Sequence, residues 1–415
     1  MSGRPRVGRY ANVAMTLHWA PDELPVGARV EQLVLPTPDR SATSGVLYRP
    51  AGGERAVVCI SHPRVDCTSH YLIPPLLRAG YAVWAQRSRT VNNDLTTIHE
   101  QLLIDLAVAH AALAERGLER CFLLGNSGGA SLYGFYAQQA ELPPGERLRD
   151  APSGIPVDLT LPMPEPAGLI LLAPHPGQGE LLLHCIDPSV ADDDDPLSLV
   201  PELDLFAPEN GFREPPASSE YDDAFLARYR AAQRERVARI DARARAIVQE
   251  RVDARAQARD GGGVAARRRA LAPAYVVVHR TDADPRTVDL RLDPSARDYG
   301  SIFGRRPDIT NYGSVGFGRL TTPDAWLSTW SGLSSRAALR LTAPGVRAPA
   351  LVIAYTADNS VFPSDVRAIR DALGSPEVAF AEVLGDHYGY LPGTEQREGG
   401  RRAADAIVAW LDARA

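Results

Sequence analysis

One stretch constrains this chain more than any other: Cys121-Phe-Leu-Leu-Gly125-Asn126-Ser127-Gly128-Gly129-Ala130-Ser131, an apolar β-type run that ends on Gly-x-Ser-x-Gly and continues into helix-like residues through Ala140. Strand, tight turn and helix form the context in which that motif becomes a nucleophile elbow. A serine held on so sharp a turn is approached closely by neighbouring backbone, so the positions two before and two after it must be small, and Gly125 and Gly129 are. The turn lifts the Ser127 hydroxyl above the sheet edge. The helix begins at the next residue, so its unpaired amides, Gly128 first, point to where an oxyanion would form.

The flanking pattern supplies the sheet. Residues 30–35 and 45–48 read as an antiparallel pair, and 56–60, 81–85, 121–125 and 168–173 as apolar strands. Helices fall between them, around 70–79 and 97–116, the latter with Leu102, Leu103, Leu106, Ala107 and Ala111 at helical spacing. The alternation stops from about 176 to 348 and resumes with a strand at 350–355, a helix at 364–373, a strand at 378–383 and a terminal helix at about 400–413. Such alternation predicts an α/β fold, a mostly parallel sheet covered by helices on both faces. The organisation read from it is an N-terminal arm (1–29), a core (30–175 and 349–415) and a cap or lid insertion (176–348). Within the insertion, an Arg/Ala-rich helix is expected over 222–259, and a hairpin is expected to pair 275–278 with 288–292.

Ser127 needs a base, and the base needs an orienting acid, because a serine hydroxyl is a poor nucleophile at neutral pH. The strand at 350–355 runs into Thr356-Ala357-Asp358, and the last strand runs into Gly385-Asp386-His387. Both side chains then lie past strand C-termini, at the edge where Ser127 sits. His387 is read as the general base and Asp358 as the acid that fixes its tautomer. Asp386 is the rival acid, disfavoured because side chains on adjacent extended residues diverge.

With these residues in place the chain resembles the α/β-hydrolase family over about 30–175 and 349–413, in the chain order Ser, Asp, His. The resemblance implies a serine esterase-like protein with a large cap. It also implies a second oxyanion donor in the loop after the third strand, here Ser61-His62-Pro63-Arg64. Proline has no amide hydrogen, which leaves the backbone N–H of Arg64 as the donor. A serine at the elbow argues against the haloalkane dehalogenase and epoxide hydrolase branches, whose nucleophile is an aspartate.

The expected reaction is cleavage of a carboxylic ester, thioester or amide of a small organic molecule through an acyl-enzyme. The same triad serves carbon–carbon bond hydrolases and acyltransferases, and the motifs do not separate them. A non-catalytic ligand-binding protein on this fold is the reading from another class, and the intact triad counts against it. His62, Arg87 and His175 follow strand ends, and Trp326 and Trp330 lie one turn apart where the chain re-enters the core, so these five are candidate substrate-binding residues. Arg64 and Arg89 share the first arrangement, although arginine, the only strong base in this lysine-free chain, is more readily structural or solvent-exposed there.

Other partners find no support. Net charge is −6 with acids and bases intermixed, so no basic field invites nucleic acid. No apolar run is long enough to cross a bilayer, so no membrane partner is expected. No phosphate loop, dinucleotide fingerprint or metal-ligand cluster is present; the Asp192–Asp195 run lacks the spaced ligands of a cation loop, and neither metal nor cofactor is expected. Val237, Ile240, Ala244 and Ile247 share one helical face, which fits a cap helix or a homodimer contact. Cys59, Cys67, Cys121 and Cys185 form no C-x-x-C pair and read as reduced thiols of a cytoplasmic protein without a signal peptide.

Overall fold

A computed structural model describes residues 23–91 and 93–414. Residues 1–22 of the expected N-terminal arm lie outside the described residues. The core elements follow in chain order. They are β1 (Arg29–Pro36), β2 (Ala42–Arg49), β3 (Val57–Ile60), α1 (Ile73–Arg78), β4 (Ala82–Arg87), α2 (His99–Ala114), β5 (Cys121–Asn126), α3 (Gly128–Ala140) and β6 (Gly168–Leu172). Next come α4 (Gln178–Cys185), α5 (Asp223–Arg259), α6 (Gly263–Leu271), β7 (Val276–Val277) and β8 (Leu320–Thr321). The chain closes with β9 (Ala350–Tyr355), α7 (Pro363–Ala372), β10 (Val378–Val383) and α8 (Glu398–Asp412).

Eight strands form one sheet in the order β1-β2-β4-β3-β5-β6-β9-β10. β2 runs antiparallel to both β1 and β4, and every later pairing is parallel. Parallel strands alternate their side chains between two covered faces, which is why these sequences are apolar throughout. On β5, Phe122 and Leu124 enter one layer with α1, α8 and Trp410, while Leu123 enters the other with α2, α3 and α7. β6 divides in the same way, Ile170 and Leu172 against Leu169 and Leu171. With this strand order, and with a tight strand-to-helix turn at the end of β5, the chain has the α/β-hydrolase fold.

The insertion between β6 and β9 shares its core with the sheet. Leu181, Leu182, Val237, Ile240, Trp326 and Trp330 belong to the same buried cluster as α1 and α8. Leu339 lies against α3 so closely that a methyl on Gly134 would come 2.5 Å from its Cδ2. A smaller cluster, built on Leu205, Tyr221, Phe225, Tyr229, Ala283 and Val288, belongs to the insertion alone.

α5 spans 37 residues, capped by Asp222, whose carboxylate accepts from the Phe225 amide at 2.6 Å. Val237, Ile240 and Ala244 are buried as their spacing predicts, and Ile247 is half-buried. Trp326–Trp330 form a π-type turn closed by Ser331 N–H donating to the Trp326 carbonyl at 2.8 Å. The expected hairpin is corrected: Val276 and Val277 pair with Thr321 and Leu320, and residues 288–292 carry no strand. The short alternation at 288–292 is occupied by a turn in which Asp289 caps Arg291 and reaches back to the Tyr221 amide.

Candidate active site

Ser127 has φ 56° and ψ −121°, a left-handed conformation that costs a non-glycine residue roughly 1–3 kcal/mol. Its neighbours show why the turn needs glycine. A methyl on Gly125 would lie 2.4 Å from the Ala130 nitrogen, and one on Gly129 would lie 2.3 Å from the Ser61 carbonyl oxygen. The amide of Ser127 donates to the Leu172 carbonyl at 2.9 Å, pinning the elbow to β6. Gly128 is the first residue of α3, so its N–H has no carbonyl within the helix to receive it. Asn126 is held on both sides: its Nδ2 donates to the Leu172 carbonyl at 3.0 Å, and its Oδ1 lies 3.2 Å from His70 Nε2.

The three residues distant in sequence meet at this edge. His387 Nε2 lies 2.9 Å from Ser127 Oγ, and His387 Nδ1 lies 2.7 Å from Asp358 Oδ2. The second Asp358 oxygen accepts from the amides of Ser360 at 2.7 Å and Val361 at 3.0 Å, which fixes the carboxylate in its turn. Burial works against a charged ring at His387, but the attraction and hydrogen bond of Asp358 outweigh it and raise the pKa above the ordinary imidazole value. Asp386 plays a different part. Its Oδ1 accepts from the amides of Tyr388 and Tyr390, closing the turn that carries His387, and burial raises its pKa.

The loop after β3 corrects one expectation. The Arg64 amide donates to His62 Nδ1 at 3.0 Å, as does the Val65 amide at 3.0 Å, so it is not directed at an oxyanion. The Arg64 guanidinium is also committed. It holds Asp94 through two hydrogen bonds of 2.5 and 2.8 Å and lies over the rings of Trp330 and Phe317. A charge paired in this way offers a substrate anion little.

A cavity of about 480 Å³ opens beside Ser127 and His387. His62, His70, Asn126, His175 and Gln178 make a polar wall, and Leu181, Ile302, Phe303, Val315 and Phe317 an apolar one. These five apolar residues come from the insertion, and Val65 and Cys67 of the loop after β3 add to the lining from the core. Of the five expected substrate contacts, His62 and His175 border this cavity. Arg87, Trp326 and Trp330 are not among its lining residues. Arg87 is paired with Asp66 at 2.7 Å, and Arg89 with Asp105 and Asp39. Trp326 is fully buried and donates to Asp241 Oδ1 at 2.7 Å; Trp330 is fully buried and donates to the Asp94 carbonyl at 3.2 Å. Their one-turn spacing reflects packing in the buried cluster shared with the sheet.

The sequence pattern does not single out His70 or Gln178, although Gln178 stands three residues after His175, at the start of α4. The part of the apolar wall at 302–317 had no readable signal, because residues 299–319 have no periodicity. In the acidic run, Asp193 pairs with the buried Arg236 and Asp194 with Arg243. Among the described residues no group of three or more His, Cys, Asp or Glu side chains is gathered to hold a metal ion.

No family model matches the chain, and no curated protein matches it. Among solved structures it is similar to that of DcsB in complex with its substrate analogue, at 13% identity and a TM-score of 0.49, covering 93% of this chain and 99% of that one. It is also similar to the α/β hydrolase GrgF from Penicillium sp. sh18, at 14% identity and a TM-score of 0.45, covering 92% and 99%. A third is the malate-bound thermophilic esterase from Thermogutta terrifontis, at 14% identity and a TM-score of 0.42, covering 92% and 99%.

Proposed function

We propose that this α/β-hydrolase-fold protein is a serine hydrolase that cleaves a carboxylic ester of a small organic molecule, with Ser127, His387 and Asp358 as its triad. The observation that carries the reading is the unbroken relay from Asp358 through His387 to Ser127, with contacts of 2.7 and 2.9 Å. Ser127 Oγ attacks the acyl carbon while its proton passes to His387 Nε2. The resulting tetrahedral oxyanion collapses, the alkoxide leaves with the proton from His387, and an acyl-enzyme remains. Water then repeats the sequence, with His387 again as base. The insertion acts as a cap whose apolar wall receives the substrate's hydrocarbon part, opposite the polar wall beside Ser127. The four free thiols fit a reducing, cytoplasmic setting.

The test is labelling by a fluorophosphonate probe and turnover of short-chain nitrophenyl esters. Wild-type protein is expected to label and turn over; Ser127→Ala is expected to lose the label and about 10⁴-fold or more in kcat. A wild type that neither labels nor hydrolyses any ester of a panel differing in acyl length and charge would sink the proposal.

A further inference from the structure

The loop after β3 leaves a functional gap: the Arg64 amide expected to complete the oxyanion hole is already bonded to His62. Gly128, the first residue of α3, offers a main-chain N–H at that place. The space beside Gly128 is nonetheless ringed by side-chain nitrogens. A methyl built on its Cα would lie 2.9 Å from His62 Nε2, 2.8 Å from His175 Nε2 and 2.5 Å from Gln178 Nε2. All three side chains border the cavity that holds Ser127. They come from the loop after β3 and from the loop after β6 with the first residue of α4, segments that follow the two strands flanking β5 in the sheet.

Hydrogen bonds fix which nitrogen of each ring carries the proton. His62 Nδ1 accepts the amides of Arg64 and Val65, and His175 Nδ1 accepts the amide of Gly177 at 3.1 Å. A nitrogen that accepts from an N–H has no hydrogen of its own, so each neutral ring must carry its hydrogen on Nε2. Among the described residues neither Nε2 meets a protein acceptor. Two N–H groups therefore point into one space beside Gly128, held there by backbone bonds at the far side of each ring.

We propose that His62 and His175 are catalytic residues that donate Nε2–H hydrogen bonds to the substrate oxyanion, completing with the Gly128 amide an oxyanion hole built largely from side chains. As the Ser127 Oγ–C bond forms, the carbonyl π pair moves onto oxygen, and the three donors receive that charge; when the pair returns and the leaving group departs, the charge is discharged. Burial, with the nearby positive charge of Arg64 and neighbouring rings, holds both histidines neutral, His175 down to about 3 and His62 well below the ordinary value. Neutral rings in fixed tautomers need no reorganisation as charge develops. They also do not compete with His387 for the Ser127 proton.

The proposal rests on the hydrolase reading, and its test separates the two. His62→Asn and His175→Asn keep an acceptor near Nδ1 and delete the donor at Nε2; His62→Gln and His175→Gln place an amide N–H near Nε2. Each Asn variant is expected to lose about 10²-fold or more in kcat, with KM within about threefold. Affinity for a trifluoromethyl ketone, which forms an oxyanion on Ser127, should fall in parallel, and each Gln variant should recover at least a tenth of wild-type kcat. Melting temperatures establish that the variants are folded; for an Asn variant that does not fold, the phenylalanine variant at the same site, equal in bulk and without a donor, takes its place with the same expected loss.

Wild-type turnover with kcat kept within threefold in the donorless variants overturns the proposal, as does a loss carried by KM alone or an equal loss in Asn and Gln variants. A wild type without Ser127-dependent labelling or turnover removes the hydrolase reading and this proposal together.

Discussion

Asp358 does two things at once through its two oxygens: one meets His387 Nδ1, and the other is tied to the Ser360 and Val361 amides. The first lifts the His387 pKa, so the neutral ring that the proposed base requires is lost on acidification at a pH above that of an ordinary histidine. For kcat/KM this predicts an acid limb above pH 6.5. Asp358→Asn takes away the raising charge while burial remains, so the limb should move to lower pH, with kcat down about 10⁴-fold. A pH–rate profile of both proteins checks this, and an unmoved limb would show that another group titrates there. Ser127, Asp358 and His387 were legible because each follows a strand C-terminus with a residue type the chemistry requires. Arg64 was misread for a local reason: no sequence pattern announces that an imidazole two residues earlier accepts its amide.

At the level of elements, the strands and helices of the core were readable because burial imposes a period on them, and the boundaries of β9 and β10 agree with the apolar runs that predicted them. The insertion resisted because polar bonds rather than periodicity set its course. The π-type turn at 326–330 is joined to α5 by Trp326 Nε1 donating to Asp241 Oδ1, while Ser334 Oγ donates to the other oxygen of that carboxylate. Asp241→Ala leaves a buried indole N–H without a partner, a loss of about 1–3 kcal/mol. Urea denaturation should show it as a lower midpoint with little change in slope. Trp326→Phe, which removes the donor together with the need for it, should lessen the added effect of Asp241→Ala in a double-mutant cycle.

Across the whole molecule the titratable interior favours neutral rings. Burial lowers the pKa of His70 and His99 to about 4 and of His110 and His175 to about 3, and it pushes His62 down as well. The unfolded chain binds protons at these positions below about pH 6.5, where the folded chain does not, so each favours folding at neutral pH and loses that contribution as pH falls toward 4. Buried carboxyls act in the opposite sense: Glu100, raised to about 7, and Asp282, raised to about 6, hold protons in the folded state that the unfolded chain has released, and burial raises Asp105 and Asp386 in the same direction. The imidazole shifts to about 4 and about 3 are more numerous than the large carboxyl shifts, so the imidazoles set the net direction. Melting temperature should therefore fall between pH 6.5 and 4, and His110→Phe, which removes a ring whose Nε2 is buried without a partner, should flatten that fall.

The shared hydrophobic cluster beneath the insertion has a consequence for how this molecule can diversify. Because Leu181, Val237, Trp326 and Trp330 are continuous with the interior of the sheet, excising 176–348 would strip one face of the scaffold, and transplanting a foreign lid would have to rebuild that face. In the loop at 302–317, Ile302 and Phe317 belong to that same cluster, whereas Phe303 is half-buried and Val315 exposed where they meet the chamber. New selectivity is accessible by point changes along this rim, with the protein's foundation left standing.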